Sequence, residues 1–124
     1  MGVEPALAAD ARESLQRGER VSWPAADVQR TVADALRVEQ VGELPFAHLR
    51  EQVAGIVTVT DDEMLAAIRL LATRARLVAE PAGAAAVAAW LYHRDELPEA
   101  RTPVAVLSGG NIDPKLLAAT LARN

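Results

Sequence analysis

A chain of 124 residues, half of it apolar and without a cysteine, can bury one core of useful size but excludes a disulfide framework, a thiolate metal site and a cysteine nucleophile. A net charge of −4, with Arg and acidic residues interspersed, argues against nucleic acid, which needs clustered cations. No stretch reaches the ~20 apolar residues that cross a bilayer, and no basic segment leads into an apolar signal core, so the expectation is a single cytoplasmic α/β domain with no membrane partner.

With one Phe, one Tyr and two Trp, the core must come from Ala, Val, Leu and Ile, which suits close packing of helices on a sheet. Gly2-Val3-Glu4-Pro5 reads as the end of a strand, stopped by Pro5. Residues 6–16 have helix composition, with Gly18 as the stop just beyond. Residues 19–24 form a turn or exposed segment, and Asp27 is placed to cap a short turn or helix leading towards Thr31-Val32-Ala33-Asp34-Ala35. After Gly42, residues 43–50 predict a turn into a short helix with Pro45 near its start.

Residues 53–59 contain Ile56, Val57, Thr58 and Val59, a β-branched run typical of a buried strand. Thr60 with Glu63 three residues later forms a capping box and marks a helix start. Met64, Ile68, Leu71, Ala75 and Val78 then share one side at helical spacing, with Asp62, Arg69 and Arg76 on the other. Glu80-Pro81-Ala82-Gly83-Ala84 breaks that helix and begins another, whose small residues permit close approach to a sheet or ligand. Residues 95–103, with Pro98 and Pro103, form a surface loop.

Residues 104–107, Val-Ala-Val-Leu, are a strand-type run ending in Ser108, Gly109, Gly110 and Asn111. Asp113 and Pro114 follow as N-cap and first residue of a closing helix. In an open α/β sheet such a strand end is the usual ligand crevice. Taken alone, Ser108-Gly109-Gly110 reads first as a tight turn after a strand.

Three stretches in this order and spacing, Val57-Thr58-Val59-Thr60-Asp61-Asp62-Glu63, Glu80-Pro81-Ala82-Gly83-Ala84 and Leu107-Ser108-Gly109-Gly110-Asn111-Ile112-Asp113, resemble the C-terminal part of threonine/serine dehydratases and serine racemases. Gly2-Val3-Glu4-Pro5 and Thr31-Val32-Ala33-Asp34 extend the match to nearly the whole chain. The resemblance implies a pyridoxal-phosphate (PLP) enzyme of the tryptophan synthase β-type fold: a partial three-layer α/β/α sheet, the second half of the large domain of a fold-type II enzyme, with residues 1–124 as one C-terminal fragment.

By that resemblance Ser108 hydrogen-bonds the pyridine nitrogen of PLP, with Gly109, Gly110, Asn111, Glu80 and Ala35 also at the cofactor. A hydroxyl, unlike a carboxylate, does not hold a proton on that nitrogen, so the ring is a milder electron sink suited to β-elimination. Glu80 has the alternative role of a first-turn acid stabilised by the helix dipole. Ala35 stands where the family usually has glycine. Glu4, Ala8 and Asp10 match positions that bind a divalent cation, two carboxylates and a backbone carbonyl, the oxygen set that Mg²⁺ or Ca²⁺ takes; without the resemblance, both acids would read as solvated surface groups. His48 and His93 lie in no nucleophile motif and read as surface or helix-packing residues.

The complete enzymes also need a lysine that forms the Schiff base with PLP. Lys115, the only lysine among thirteen basic residues, falls in the closing helix, and the glycine-rich phosphate loop is absent. The resemblance therefore implies a partner, an N-terminal half carrying the Schiff-base lysine, and an amino-acid substrate, with a homo-oligomer when complete. The reaction implied is β-elimination of water from threonine or serine and release of ammonia to give a 2-oxo acid, with the chain alone inactive and supplying no catalytic residue itself. Two alternatives stay open: a non-catalytic partner of a separately encoded half, and a vestigial module binding another phosphate-bearing small molecule.

Overall fold

The computed structural model describes residues 1–122. Two strands, β1 (Gly2–Pro5) and β2 (Ile56–Val59), pair in parallel with Val3 opposite Val57 and Pro5 opposite Val59. Side chains alternate across a strand, so Val3, Val57 and Val59 share one face and Glu4 and Thr58 the other. Helices α4 (Asp61–Leu70) and α5 (Pro81–Tyr92) cover the first face. Helix α1 (Asp10–Arg17) lies on the opposite face, where Arg12 bonds Thr58 Oγ1 at 2.8 Å and Glu4 takes backbone amides of the helix. The expected three layers are therefore present around a sheet of two strands.

The core is aliphatic. Met64, Ile68, Val57, Val59 and four alanines of α5, Ala84, Ala85, Ala88 and Ala89, are buried in one cluster. Alanine lets α5 approach the sheet and α4 closely, which fits the shortage of aromatic residues. The capping box forms as expected: Glu63 N–H donates to Thr60 Oγ1 and Thr60 N–H to Glu63 Oε2, at 3.3 and 2.7 Å.

Several boundaries differ from the sequence expectation. Helix α1 begins at Asp10 rather than near Ala6, because Glu4 on β1 accepts the Ala11 and Arg12 amides and so starts the helix from outside it. Asp27 lies inside a one-turn helix, α2 (Ala25–Val28), rather than capping one, and a 3₁₀ turn follows at Asp34–Leu36. Helix α3 (Glu43–Gln52) runs slightly past its expected end. The apolar side of α4 does not reach Val78. A π turn, Leu71–Ala75, leads to Arg76 at φ 60°, the left-handed conformation that commonly ends helices, and this leaves Ala75 and Val78 exposed.

Residues 104–107 are the main departure. They pair with neither strand, and Val104 and Val106 are 82% and 66% exposed. A strand needs a neighbour to satisfy its backbone groups, and no described residue supplies one. The closing helix α6 (Pro114–Ala122) starts as expected, with Asp113 Oδ1 accepting the amides of Lys115 and Leu116.

Candidate functional site

Ser108 is exposed at the lip of a cleft of about 250 Å³ walled by Ala82, Ala85 and Ala86 of α5, Leu36 of the 3₁₀ turn and Val106. The small α5 side chains and Leu36 make an apolar wall with one hydroxyl at its edge. Val3 of β1 also lines the cleft, which places it on the α5 face of the sheet.

The loop after Ser108 is seated on the start of α5. Glu80 is the N-cap, with Pro81 at the first helical position. Its N–H donates to Gly109 O at 3.1 Å, and its Oε2 accepts the Asn111 N–H at 2.8 Å. The glycines here are required by space rather than by dihedral angle, since neither Gly109 nor Gly110 has positive φ. A Cβ on Gly109 would overlap the Glu80 side chain, one on Gly83 would overlap the Gly109 backbone, and one on Gly110 would meet Val78 O at 2.7 Å. The close approach at these glycines is thus made by protein against protein.

Ser108, Gly109, Gly110, Asn111 and Glu80 are therefore brought together. Ala35 is exposed in the Asp34–Leu36 turn, and its neighbour Leu36 is the residue that lines the cleft. That turn is anchored by Asp61, which accepts Thr31 Oγ1–H at 2.6 Å and the Val32 N–H at 3.0 Å. Arg37 donates to Thr31 O through Nε and Nη2. Sequence reasoning missed Leu36; the small residues of α5, read as open to a sheet or ligand, place Ala82, Ala85 and Ala86 in the cleft wall.

Glu4, Ala8 and Asp10 lie on the other side of the sheet. Ala8 and Asp10 are buried, at 1% and 2% exposure, so the surface reading of Asp10 does not hold. Burial pushes Glu4 up to about 7 against the pull of the Arg12 and Ala11 amides, and the Asp10 charge adds to the rise. Burial also raises Asp10, against the Val41 amide that it accepts at 2.6 Å. No cluster of three or more His, Cys, Asp or Glu side chains suited to a metal occurs among the described residues. Carboxylates are the ligand type of an oxygen-coordinated cation; here Glu4 Oε1 and Oε2 accept the Ala11 and Arg12 amides and Asp10 Oδ2 accepts the Val41 amide.

His48 hydrogen-bonds Leu44 O within its own helix. His93 closes the end of α5 onto the start of α4, with Nδ1 2.7 Å from Glu96 and Nε2 3.2 Å from Glu63. Hydrogen bonds to Glu96 and then Glu63 raise His93. Burial pushes Glu63 up, but the Thr60 amide and His93 outweigh it and hold Glu63 low. A raised histidine stabilises fully below its unfolded value of 6.5 and loses this as pH rises through the higher folded value. A lowered glutamate stabilises above 4.5 and loses this as pH falls through the lower folded value. His93→Gln is accordingly expected to cost about 1 kcal/mol at pH 6 and clearly less at pH 9; equal losses in denaturant titrations at the two pH values would contradict it.

No helix among the described residues is long and apolar enough to cross a membrane. The family model described as "Pyridoxal-phosphate dependent enzyme" matches residues 1–109. L-threo-3-hydroxyaspartate ammonia-lyase of Saccharomyces cerevisiae is 34% identical over 121 residues, covering 98% of this chain and 36% of that protein. L-threonine ammonia-lyase of Geobacter sulfurreducens is 40% identical over 123 residues, 99% of this chain and 30% of that one. The crystal structure of a T.th. threonine deaminase superposes with a TM-score of 0.82 at 46% identity, covering 90% of this chain and 39% of the other. Maize serine racemase gives a TM-score of 0.78 at 27% identity, covering 95% and 36%. The chain thus spans about a third of the length of these relatives. With a family model that takes in both strands, the cleft wall and Ser108, this chain belongs to the pyridoxal-phosphate dependent enzymes, of fold type II.

Proposed function

We propose that the chain supplies the C-terminal part of the cofactor-binding large domain of a PLP-dependent ammonia-lyase, which converts threonine or serine to a 2-oxo acid and ammonia. The observation that carries this reading is the exposed Ser108 hydroxyl at the edge of an apolar cleft, on a loop seated against α5. A flat ring that presents its nitrogen edge to Ser108 suits such a cleft. PLP, when bound, supplies the electron sink that makes the α-proton of an amino acid removable. Ser108 would hold the pyridine nitrogen, and its neutral hydroxyl would leave that nitrogen unprotonated. Leu36 and the α5 alanines would keep water from the ring face. Gly109, Gly110, Asn111 and Glu80 hold the serine loop, and Ala35 lies in the turn that presents Leu36.

The lysine and the phosphate cradle belong, in this reading, to an N-terminal half that also pairs with residues 104–107. Excess surface supports that partner: a compact monomer of this length exposes about 6,400 Å², and this chain exposes 7632 Å². The completed protein is proposed to work as a homo-oligomer. Ser108→Ala is expected to weaken PLP binding to the completed protein about tenfold, the loss of one hydrogen bond at a ring edge. Unchanged affinity in a cofactor titration would remove Ser108 from this role.

Glu4, Ala8 and Asp10 are proposed to bind Mg²⁺ or Ca²⁺ across the sheet. A cation would neutralise the half-buried Glu4 and the buried Asp10. At a hundredfold excess over Kd it should stabilise by about 2.7 kcal/mol and raise Tm on the order of 10 °C. Thermal melts with and without the cation check this; a shift retained in Glu4→Gln and Asp10→Asn would place the ion elsewhere.

A further inference from the structure

We propose that Glu80 is a positioning residue that fixes Ser108 through the loop backbone, and that it does so without needing to touch the cofactor. Its importance for chemistry rests on the reading of Ser108 given above, whereas the clamp itself is testable on the unliganded chain. Three observations converge. Glu80 holds the loop at two points, donating its N–H to Gly109 O and accepting the Asn111 N–H on its carboxylate. These points bracket Gly110, so the chain leaving Ser108 is fixed over three residues. The carboxylate also fills the space beside Gly109, where a Cβ would overlap it, and the Gly109 backbone rests on Gly83 of α5. Glu80 itself is held as N-cap of α5, with its carbonyl accepting the Ala84 N–H at 2.9 Å. Serine position is thereby tied to the helix that forms the cleft wall, and a carboxylate committed to a loop amide has a full structural role of its own.

The geometry separates Glu80 from an ordinary loop contact because its side chain acts both as acceptor and as steric stop. Gln keeps an acceptor oxygen and nearly the same volume, whereas Ala removes both. The test is amide hydrogen exchange and backbone NMR on the 124-residue chain, with Glu80→Ala and Glu80→Gln. Glu80→Ala should lose about tenfold of the Asn111 amide protection, the equivalent of one hydrogen bond, and shift the Ser108 resonances. Glu80→Gln should restore most of both. Full protection and unshifted Ser108 in Glu80→Ala would overturn the clamp.

A second arm guards against a poorly folded variant. Gly109→Ala should lower Tm markedly in the presence of Glu80 and much less in the Glu80→Ala background, because the added methyl meets the Glu80 side chain. Equal Tm losses in the two backgrounds would also overturn it. Failure of the PLP titration of Ser108→Ala with both arms intact would instead refute the cofactor reading and leave the clamp standing.

Discussion

Gly83→Ala is expected to destabilise the chain by about 1–3 kcal/mol, as overpacking does, and to move Ser108 off the cleft edge. The added methyl would overlap the Gly109 carbonyl and amide, so either α5 or the loop must give way. Helix α5 is fixed by Ala84, Ala85, Ala88 and Ala89 in the core, so the loop must lift and break the Glu80 contacts. Gly55→Ala is the control. A Cβ there would meet only the flexible Met1 side chain, at 3.5 Å and beyond, and should change stability by less than about 0.5 kcal/mol. Denaturant titration of both variants measures the contrast; a Gly83→Ala loss as small as that of the control would mean the loop is not packed against α5.

Val106→Asp should have opposite consequences in two settings. Val106 is 66% exposed, so in the isolated chain the change should stay within about 0.5 kcal/mol. In the completed protein the same residue would lie in a paired, buried strand, where an unpaired carboxylate costs several kcal/mol and should weaken association by more than about a hundredfold. Melting the isolated variant and measuring its association with an N-terminal half separates the two. Wild-type association by Val106→Asp would remove residues 104–107 from the interface.

Local rules were legible where one short-range interaction decides the structure. Thr60 and Glu63 fix the start of α4 by themselves, Pro81 marks the start of α5, and the β-branched Ile56–Val59 run forms β2. Rules failed where the deciding group is distant. Nothing near Ala6 shows that Glu4 will accept the α1 amides. No glycine marks the stop after α4 and its π turn, where Arg76 takes the left-handed conformation instead. Strand composition at residues 104–107 is plain, yet composition cannot supply a neighbouring strand. The site divided in the same way. Ser108 stood out as a hydroxyl at the end of an apolar run, but the two glycines could not reveal that Glu80 and Val78, some thirty residues earlier, fill the space beside them. Leu36 reached the cleft through a turn tied by Asp61 and Thr31, a long-range pairing with no local trace.

If this chain holds one edge of PLP and depends on a second polypeptide segment for the lysine, activity must require both pieces. The deciding measurement is 2-oxo acid release from L-threonine in the presence of PLP, by the chain alone and by the chain mixed with a family N-terminal half carrying the lysine. No release is expected from the chain alone, and release is expected from the mixture, lowered by Ser108→Ala. Turnover by the purified chain alone would contradict this division of roles.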